Sequence, residues 1–117
     1  MFEWFDFLDL AETLAETPNN EAAARTAISR AYYATFHAGR TYLSRTDTPI
    51  DRSRNAHLQV LMQLQQRNDE IGQVLALLHS WRKQADYENP TIPDARELAR
   101  SAVAFARDTI AAIEALP

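Results

Sequence analysis

Cysteine is absent from this chain. That single absence removes disulfides, thiolate zinc sites, iron–sulfur clusters and cysteine nucleophiles. Glycine is almost as scarce, with only Gly39 and Gly72. A glycine-rich phosphate loop of the Rossmann or P-loop kind therefore has no place here, which argues against a mononucleotide-binding α/β enzyme. Lysine occurs once, as Lys83, so eleven of the twelve basic residues are Arg. No apolar run approaches the roughly 18 residues that a membrane span needs. The apolar N-terminal stretch is threaded with acids and has no basic leader region, so it does not read as a signal peptide. These absences lead to the expectation of a soluble, cytoplasmic protein with no membrane association.

What is present reads as globular. The chain has 117 residues, 46% of them hydrophobic and 24% charged, with a formal net charge of -4. This suits one ordinary domain over residues 1–117 that folds without staples. The charge is unevenly spread. Residues 1–24 carry six acids and no base, whereas residues 25–54 carry six Arg (25, 30, 40, 45, 52 and 54) against Asp47 and Asp51. A mildly acidic total is compatible with nucleic-acid binding if the Arg-rich block forms one surface, because the guanidinium fork suits phosphate. The plainer alternative is a general preference for Arg over Lys.

The hydrophobic pattern is helical nearly throughout. In residues 2–16 the set Trp4, Phe7, Leu8, Ala11, Leu14 and Ala15 forms one stripe, which predicts a helix lying on a core. Thr17-Pro18-Asn19-Asn20 is the break, with Asn20 as N-cap of a long second helix that runs to about Ser44. That helix has a small ridge (Ala23, Ala27, Ala31, Ala34, Ala38) beside a large one (Ile28, Tyr32, Phe36, Leu43), and so wide an apolar arc places it centrally. Residues 45–54 form a polar loop around Pro49. A third helix carries Leu58, Leu61, Met62 and Leu64 and ends near Asn68, and a fourth carries Ile71, Val74, Leu75 and Leu78 to about Tyr87. Asn89-Pro90 punctuates. Thr91 with Asp94 three residues later reads as a capping box for the last helix, which runs down to Leu116. The expected fold is all-α, an antiparallel up-and-down bundle of four to five helices.

Two groups of residues do not fit a plain bundle. The apolar stripe of the fourth helix continues to Arg82, followed by Ala85 and Asp86, and a charge on a buried stripe is costly unless it is paired or faces a cleft. Arg82 and Asp86 are four apart and can meet, and His79 shares their flank. One reading is a half-exposed ion pair where the core runs out; the other makes Arg82 the floor of a polar cleft. On the central helix, Arg30, Tyr33 and His37 share a strip that continues to Arg40. Arg, Tyr and His together suit a base and a phosphate, although Tyr and His flanking an Ala ridge also pack simply with their polar tips outward. The three His (37, 57 and 79) lack metal-ligand spacing, and no Gly-x-Ser-x-Gly frames a serine nucleophile. Neither a metal nor a cofactor is implied.

The segments Ala-Ile-Ser-Arg-Ala-Tyr-Tyr-Ala-Thr-Phe-His-Ala (27–38) and Trp-Arg-Lys-Gln-Ala-Asp-Tyr (81–87) resemble the HEPN superfamily, in its prokaryotic branch with a Ser-Arg-Ala-Tyr-Tyr-Ala-x-Phe-His helix and a later Arg-x-x-Ala-Asp-Tyr. The likeness covers about residues 20–115. It implies a HEPN-like helical bundle that forms a homodimer around one cleft. It also implies a metal-independent, toxin-like endoribonuclease, often paired with a minimal nucleotidyltransferase antitoxin. The superfamily's signature is an Arg followed, after four to six intervening residues, by a His. Carried onto this chain the Arg is Arg82, but positions 87, 88 and 89 are Tyr87, Glu88 and Asn89. Arg30 and His37 match the spacing only on the central helix, where the superfamily does not carry it.

Cleavage by attack of a 2′-OH needs a base, an acid and a cation for the phosphorane. The catalytic candidates are Arg82 as the cation, Asp86, Tyr87 as proton donor or phosphate positioner, and His37 as a substitute acid–base group; Arg30, Tyr33, Arg40 and His79 are candidates for holding RNA or a nucleotide. The alternative is a non-catalytic HEPN module that binds a nucleotide or a nucleotidyltransferase partner through the same cleft. A purely structural helical adaptor is a third reading.

Overall fold

The structure is a computed structural model that describes residues 1–51, 53–88 and 91–117. Arg52 of the basic block and the Asn89-Pro90 break lie outside the described residues. Five α-helices account for the fold: α1 (Phe5–Ala15), α2 (Glu21–Arg45), α3 (Ala56–Arg67), α4 (Asp69–Lys83) and α5 (Ala95–Glu114), and a π-helical turn, Gln84–Glu88, prolongs α4. No strand occurs among the described residues.

Capping side chains set most of the boundaries. Asn20 Oδ1 accepts from the Ala23 N–H at 2.9 Å, as the sequence predicts for the start of α2. Asn55 and Asn68 cap α3 and α4 in the same way, accepting from Leu58 and Ile71. Asn68 is the only residue between α3 and α4, so these two form a tight antiparallel hairpin. At α5 the expectation is corrected. The helix starts at Ala95, and Asp94 is its N-cap, accepting from the Glu97 N–H at 3.3 Å. Asp94 has φ 50°, a left-handed conformation that Asp tolerates better than most residues. That conformation prevents the helix from reaching back to Thr91.

The central position expected for α2 is observed, since it packs against each of the other four helices. Its alanines 23, 27, 31 and 34 are buried together with Ile28, Tyr32, Phe36 and Leu43. α5 lays a matching ridge of Ala95, Ala99, Ala102 and Ala106 in the core, and two small ridges permit close approach of the backbones. Leu8, Ile28, Leu43, Leu64, Leu75, Leu78 and Ile113 fill the remaining volume. Full burial of each such side chain stabilises by about 1.5–3 kcal/mol.

The order of directions departs from a strict up-and-down bundle. α1 runs antiparallel to α2, with Trp4 against His37 and Phe7 against Arg30. α4 is also antiparallel to α2, with Arg82 at Tyr33 and Asp86 at Ser29. α3 runs parallel to α2, because His57 meets Tyr32 while Val60 and Leu64 meet Gly39. α5 does so too, its C-terminal Pro117 carbonyl accepting from the Tyr42 hydroxyl. The loop after α2 is long enough to carry the chain back along the helix before α3 begins. Gln59 fastens it there, its amide pairing with the Asp51 backbone N–H and C=O at 2.8 Å each.

Three sequence expectations about the core are corrected. On α3 the buried positions are Val60 and Leu64, while Leu58 and Met62 are exposed. On α5 Phe105 is largely outside, tilted against Trp81. Trp4 precedes α1 and is 42% exposed, because the helix begins one residue after it and the ring turns to His37 instead of the core.

Gly72 permits the tight α3–α4 hairpin. A Cβ there would stand 2.5 Å from Gln65 Cβ and 2.9 Å from Gln65 Cα, so the backbones would have to part. Gly72→Ala should therefore destabilise by about 1–3 kcal/mol despite the better helix propensity of alanine. Urea unfolding monitored by circular dichroism measures this, and an unchanged midpoint would contradict the packing described.

Candidate functional site around Arg82

Arg82 lies in the last turn of α4, where the helix crosses α2 and widens into the π turn. Its side chain is 16% exposed. Nη2 donates to the Tyr33 hydroxyl at 2.6 Å, and Nε lies 3.4 Å from Asp86 Oδ2. The latter contact is an ion pair without hydrogen-bond alignment, and Nε is the one buried side-chain polar atom among the described residues that has no hydrogen-bond partner. Asp86 Oδ2 also accepts from the Ser29 hydroxyl at 3.1 Å. Ser29, Tyr33, Arg82 and Asp86 thus form one network between α2 and α4. The Arg25 guanidinium donates to the Ala85 carbonyl at 2.8 Å and ties the π turn to α2 from the N-terminal side. In a π turn the backbone bonds shift by one residue, which commonly marks functional segments.

Aromatic faces surround the guanidinium. Arg82 Cζ is 5.1 Å from the Tyr33 ring centroid, 5.4 Å from Tyr87 and 5.8 Å from Tyr32. Tyr87 is 75% exposed, so it stands over the cation as an open flank. Arg30 adds a second guanidinium near Tyr33, 5.0 Å from its centroid and 4.8 Å from that of Phe7. Two guanidinium groups and two phenols accordingly lie together at a partly solvated surface. Such a surface can pair a phosphate with a guanidinium and stack a base on a tyrosine.

The sequence candidates divide. Arg82, Asp86, Tyr87, Tyr33 and Arg30 come together. His79 lies one turn earlier on α4 and joins through Tyr32, whose ring centroid is 5.3 Å from the imidazole. His37 makes no direct contact with Arg82 among the described residues and approaches the network only through Tyr33, whose ring centroid is 6.4 Å from the imidazole. It stacks flat on Trp4, with centroids 3.6 Å apart and planes at 11°, and lines a hollow of about 650 Å³ between α2, α5 and the N-terminal residues. Burial and the nearby Arg40 push its pKa down to about 4, so it is neutral at pH 7. Arg40 lines a smaller hollow with Trp4, His37 and Thr41, away from the Arg82 network. The Arg residues of α2 are therefore divided, with Arg25 and Arg30 toward its N-terminal half and Arg40 and Arg45 toward its C-terminal end. His57, which sequence reasoning passed over, lies next to His79 and bonds Tyr32. Its only sequence signal is its place on the first turn of α3, and the parallel course of α2 and α3 that brings it to Tyr32 is not written in any local pattern.

Among the described residues no three His, Asp or Glu side chains gather to hold a metal ion, and no helix is long and apolar enough to cross a membrane. Comparison with protein-family models, with curated proteins and with solved structures gives no match.

Lowered histidine pKa values make the fold less stable as the pH falls. His57 is pushed down to about 4 by burial first and then by His79, Arg82 and Lys83; His79 is lowered by burial, Arg82 and Lys83. A histidine whose native pKa lies below its unfolded value of about 6.5 binds fewer protons when folded. Its contribution is complete above about pH 6.5 and is lost as the pH falls toward 4. The urea midpoint should therefore fall as the pH is lowered from 7 to 4.5, and His37→Gln should flatten that fall. A midpoint that holds steady or rises toward acid pH would contradict the buried neutral imidazoles.

Proposed function

We propose that this chain is a HEPN-type, RNA-directed module that acts as a toxin-like, metal-independent endoribonuclease at the Arg82 cleft. The observation that carries the reading is the Arg82 guanidinium itself. It sits on the apolar stripe of α4, braced by Tyr33 and Asp86, and its neighbours at the cleft edge are a second guanidinium and an exposed tyrosine. A buried ion pair contributes little to stability, so a plain bundle gains nothing from it that an apolar residue would not supply. A phosphate-binding cleft needs it.

In the proposed reaction the 2′-oxygen forms a bond to phosphorus and the bond to the 5′-oxygen breaks. Solvent water takes the proton of the 2′-hydroxyl and the Tyr87 hydroxyl donates one to the 5′-oxygen, regaining it from solvent, so the products are a 2′,3′-cyclic phosphate and a 5′-hydroxyl. Arg82 stabilises the phosphorane charge, Asp86 and Tyr33 fix its orientation, and Tyr87 and Arg30 hold the flanking nucleotide. His37 has no part in this version, because it lies against Trp4 and not at Arg82. The HEPN resemblance, carried by residues 27–38 and 81–87, adds a homodimer with two copies of the cleft facing each other and a minimal nucleotidyltransferase antitoxin as partner. A second reading, a non-catalytic module that holds a nucleotide or that partner, is favoured by Tyr87 standing where the resemblance places a His.

Purified protein incubated with RNA in the presence of EDTA should yield fragments ending in 2′,3′-cyclic phosphate. Arg82→Met should keep the circular dichroism spectrum and lower cleavage by at least about 100-fold, as removal of a group that stabilises transition-state charge does. Equal cleavage, or none by either protein, would overturn the nuclease reading. Sedimentation at micromolar concentration should give a dimer, and a monomer would contradict the shared cleft.

A further inference from the structure

The imidazoles of His57 on α3 and His79 on α4 lie face to face, with centroids 3.5 Å apart and planes at 19°. His57 Nδ1 shares a hydrogen bond of 2.8 Å with the Tyr32 hydroxyl. The Tyr32 ring in turn faces both His79, at 5.3 Å, and the Arg82 guanidinium, at 5.8 Å. The stacked pair is thus joined to the Arg82 site through one buried aromatic ring. The contacts that brace Arg82 run to Tyr33 and Asp86 and not to either imidazole, so bracing Arg82 does not account for the pair.

The surroundings of the pair are cationic. Tyr32 faces it from α2, and Arg82 and Lys83 act on it from α4. The Asp86 carboxylate is already engaged by Arg82 and Ser29. Without a ligand, a proton on either ring would meet the other imidazole and two cations in a half-buried setting, and the pair stays neutral. An anion bound at Arg82 would supply the missing counter-charge. The partner hydroxyl allows both states. With His57 neutral, the Tyr32 O–H donates to Nδ1; with His57 protonated, Nδ1–H donates to the Tyr32 oxygen and the hydroxyl hydrogen is released to another acceptor, such as a phosphoryl oxygen.

We propose that the His57–His79 pair is the proton-exchanging part of the Arg82 site. A phosphodiester bound at Arg82 draws one proton from solvent onto the pair, and ligand affinity rises as the pH falls. This rests on the reading of Arg82 as a phosphate-binding group, but not on cleavage. The unliganded His57 value of about 4 and the ordinary histidine value of about 6.5 bound the window in which the proton is taken up.

The test uses the full chain and tetrathymidylate, whose phosphodiesters and bases do not titrate between pH 5 and 8 and which lacks the 2′-hydroxyl needed for cleavage. Titration calorimetry between pH 7.5 and 5.5 should show tighter binding toward acid pH, approaching about tenfold per pH unit where a whole proton is taken up. Buffers of different ionisation enthalpy should give different heats. His57→Gln should remove the pH slope. If that variant does not fold, His79→Gln reads the same slope and should reduce it. Wild-type binding that is independent of pH, or a slope that survives both substitutions, would overturn the proton coupling and leave the phosphate site standing. Absence of binding at every pH, or equal binding by Arg82→Met, would overturn the phosphate site and the coupling with it.

Discussion

A guanidinium lodged between two helices is the constraint on which this part of the molecule depends. Arg82 continues the apolar stripe of α4, so the helix cannot pack on α2 unless the charge finds partners there. Tyr33 supplies a hydroxyl at 2.6 Å and Asp86 a carboxylate at 3.4 Å. Ser29 holds that carboxylate, and Arg25 holds the carbonyl just before it. These bonds fix the antiparallel register of α4 on α2 and anchor the π turn. The same bonds leave the Arg82 guanidinium against the exposed ring of Tyr87.

The remainder of the bundle serves that crossing. Two alanine ridges bring α2 and α5 together on the far side, and the α3–α4 hairpin, closed tightly at Gly72, delivers His57 to Tyr32 and His79. α1 contributes Phe7 under Arg30 and is clamped to α5 by Glu16, which pairs with both Arg96 and Arg100, and by Glu12, which pairs with Arg107. The acidic first segment therefore faces the basic flank of α5, not the Arg-rich stretch of α2 alone. The hydrogen bond from Arg100 is the main reason the Glu16 carboxyl stays below the usual carboxylate range.

Much of this was legible in the sequence because it is locally encoded. Helix number, the break at Pro18, the Asn20 cap and the central place of α2 follow from periodicity and capping chemistry within a few residues. Arg82 and Asp86 stood out because they interrupt a stripe. Tyr33 stood out with Arg30 and His37 as a surface for a base and a phosphate, and its hydrogen bond to Arg82 depends on the crossing of α2 and α4. What was not legible depends on distant geometry. The left-handed Asp94 moved the start of α5, and the return of loop 46–55 made α3 parallel to α2. That return put His57 beside Arg82's aromatic neighbour and left Leu58 and Met62 outside. His37 meets the Arg82 network only through the Tyr33 ring, and Trp4, expected on the core stripe, falls one residue short of α1 and covers the imidazole.

The account stands or falls on Arg82 being the group that meets a phosphate. The most direct measurement is the NMR signal of each Arg side chain in the full protein as tetrathymidylate is added. The guanidinium resonance of Arg82 should move first and furthest, followed by that of Arg30 across Tyr33. Shifts confined to Arg40 and Arg45 at the other end of α2, with Arg82 unmoved, would contradict it.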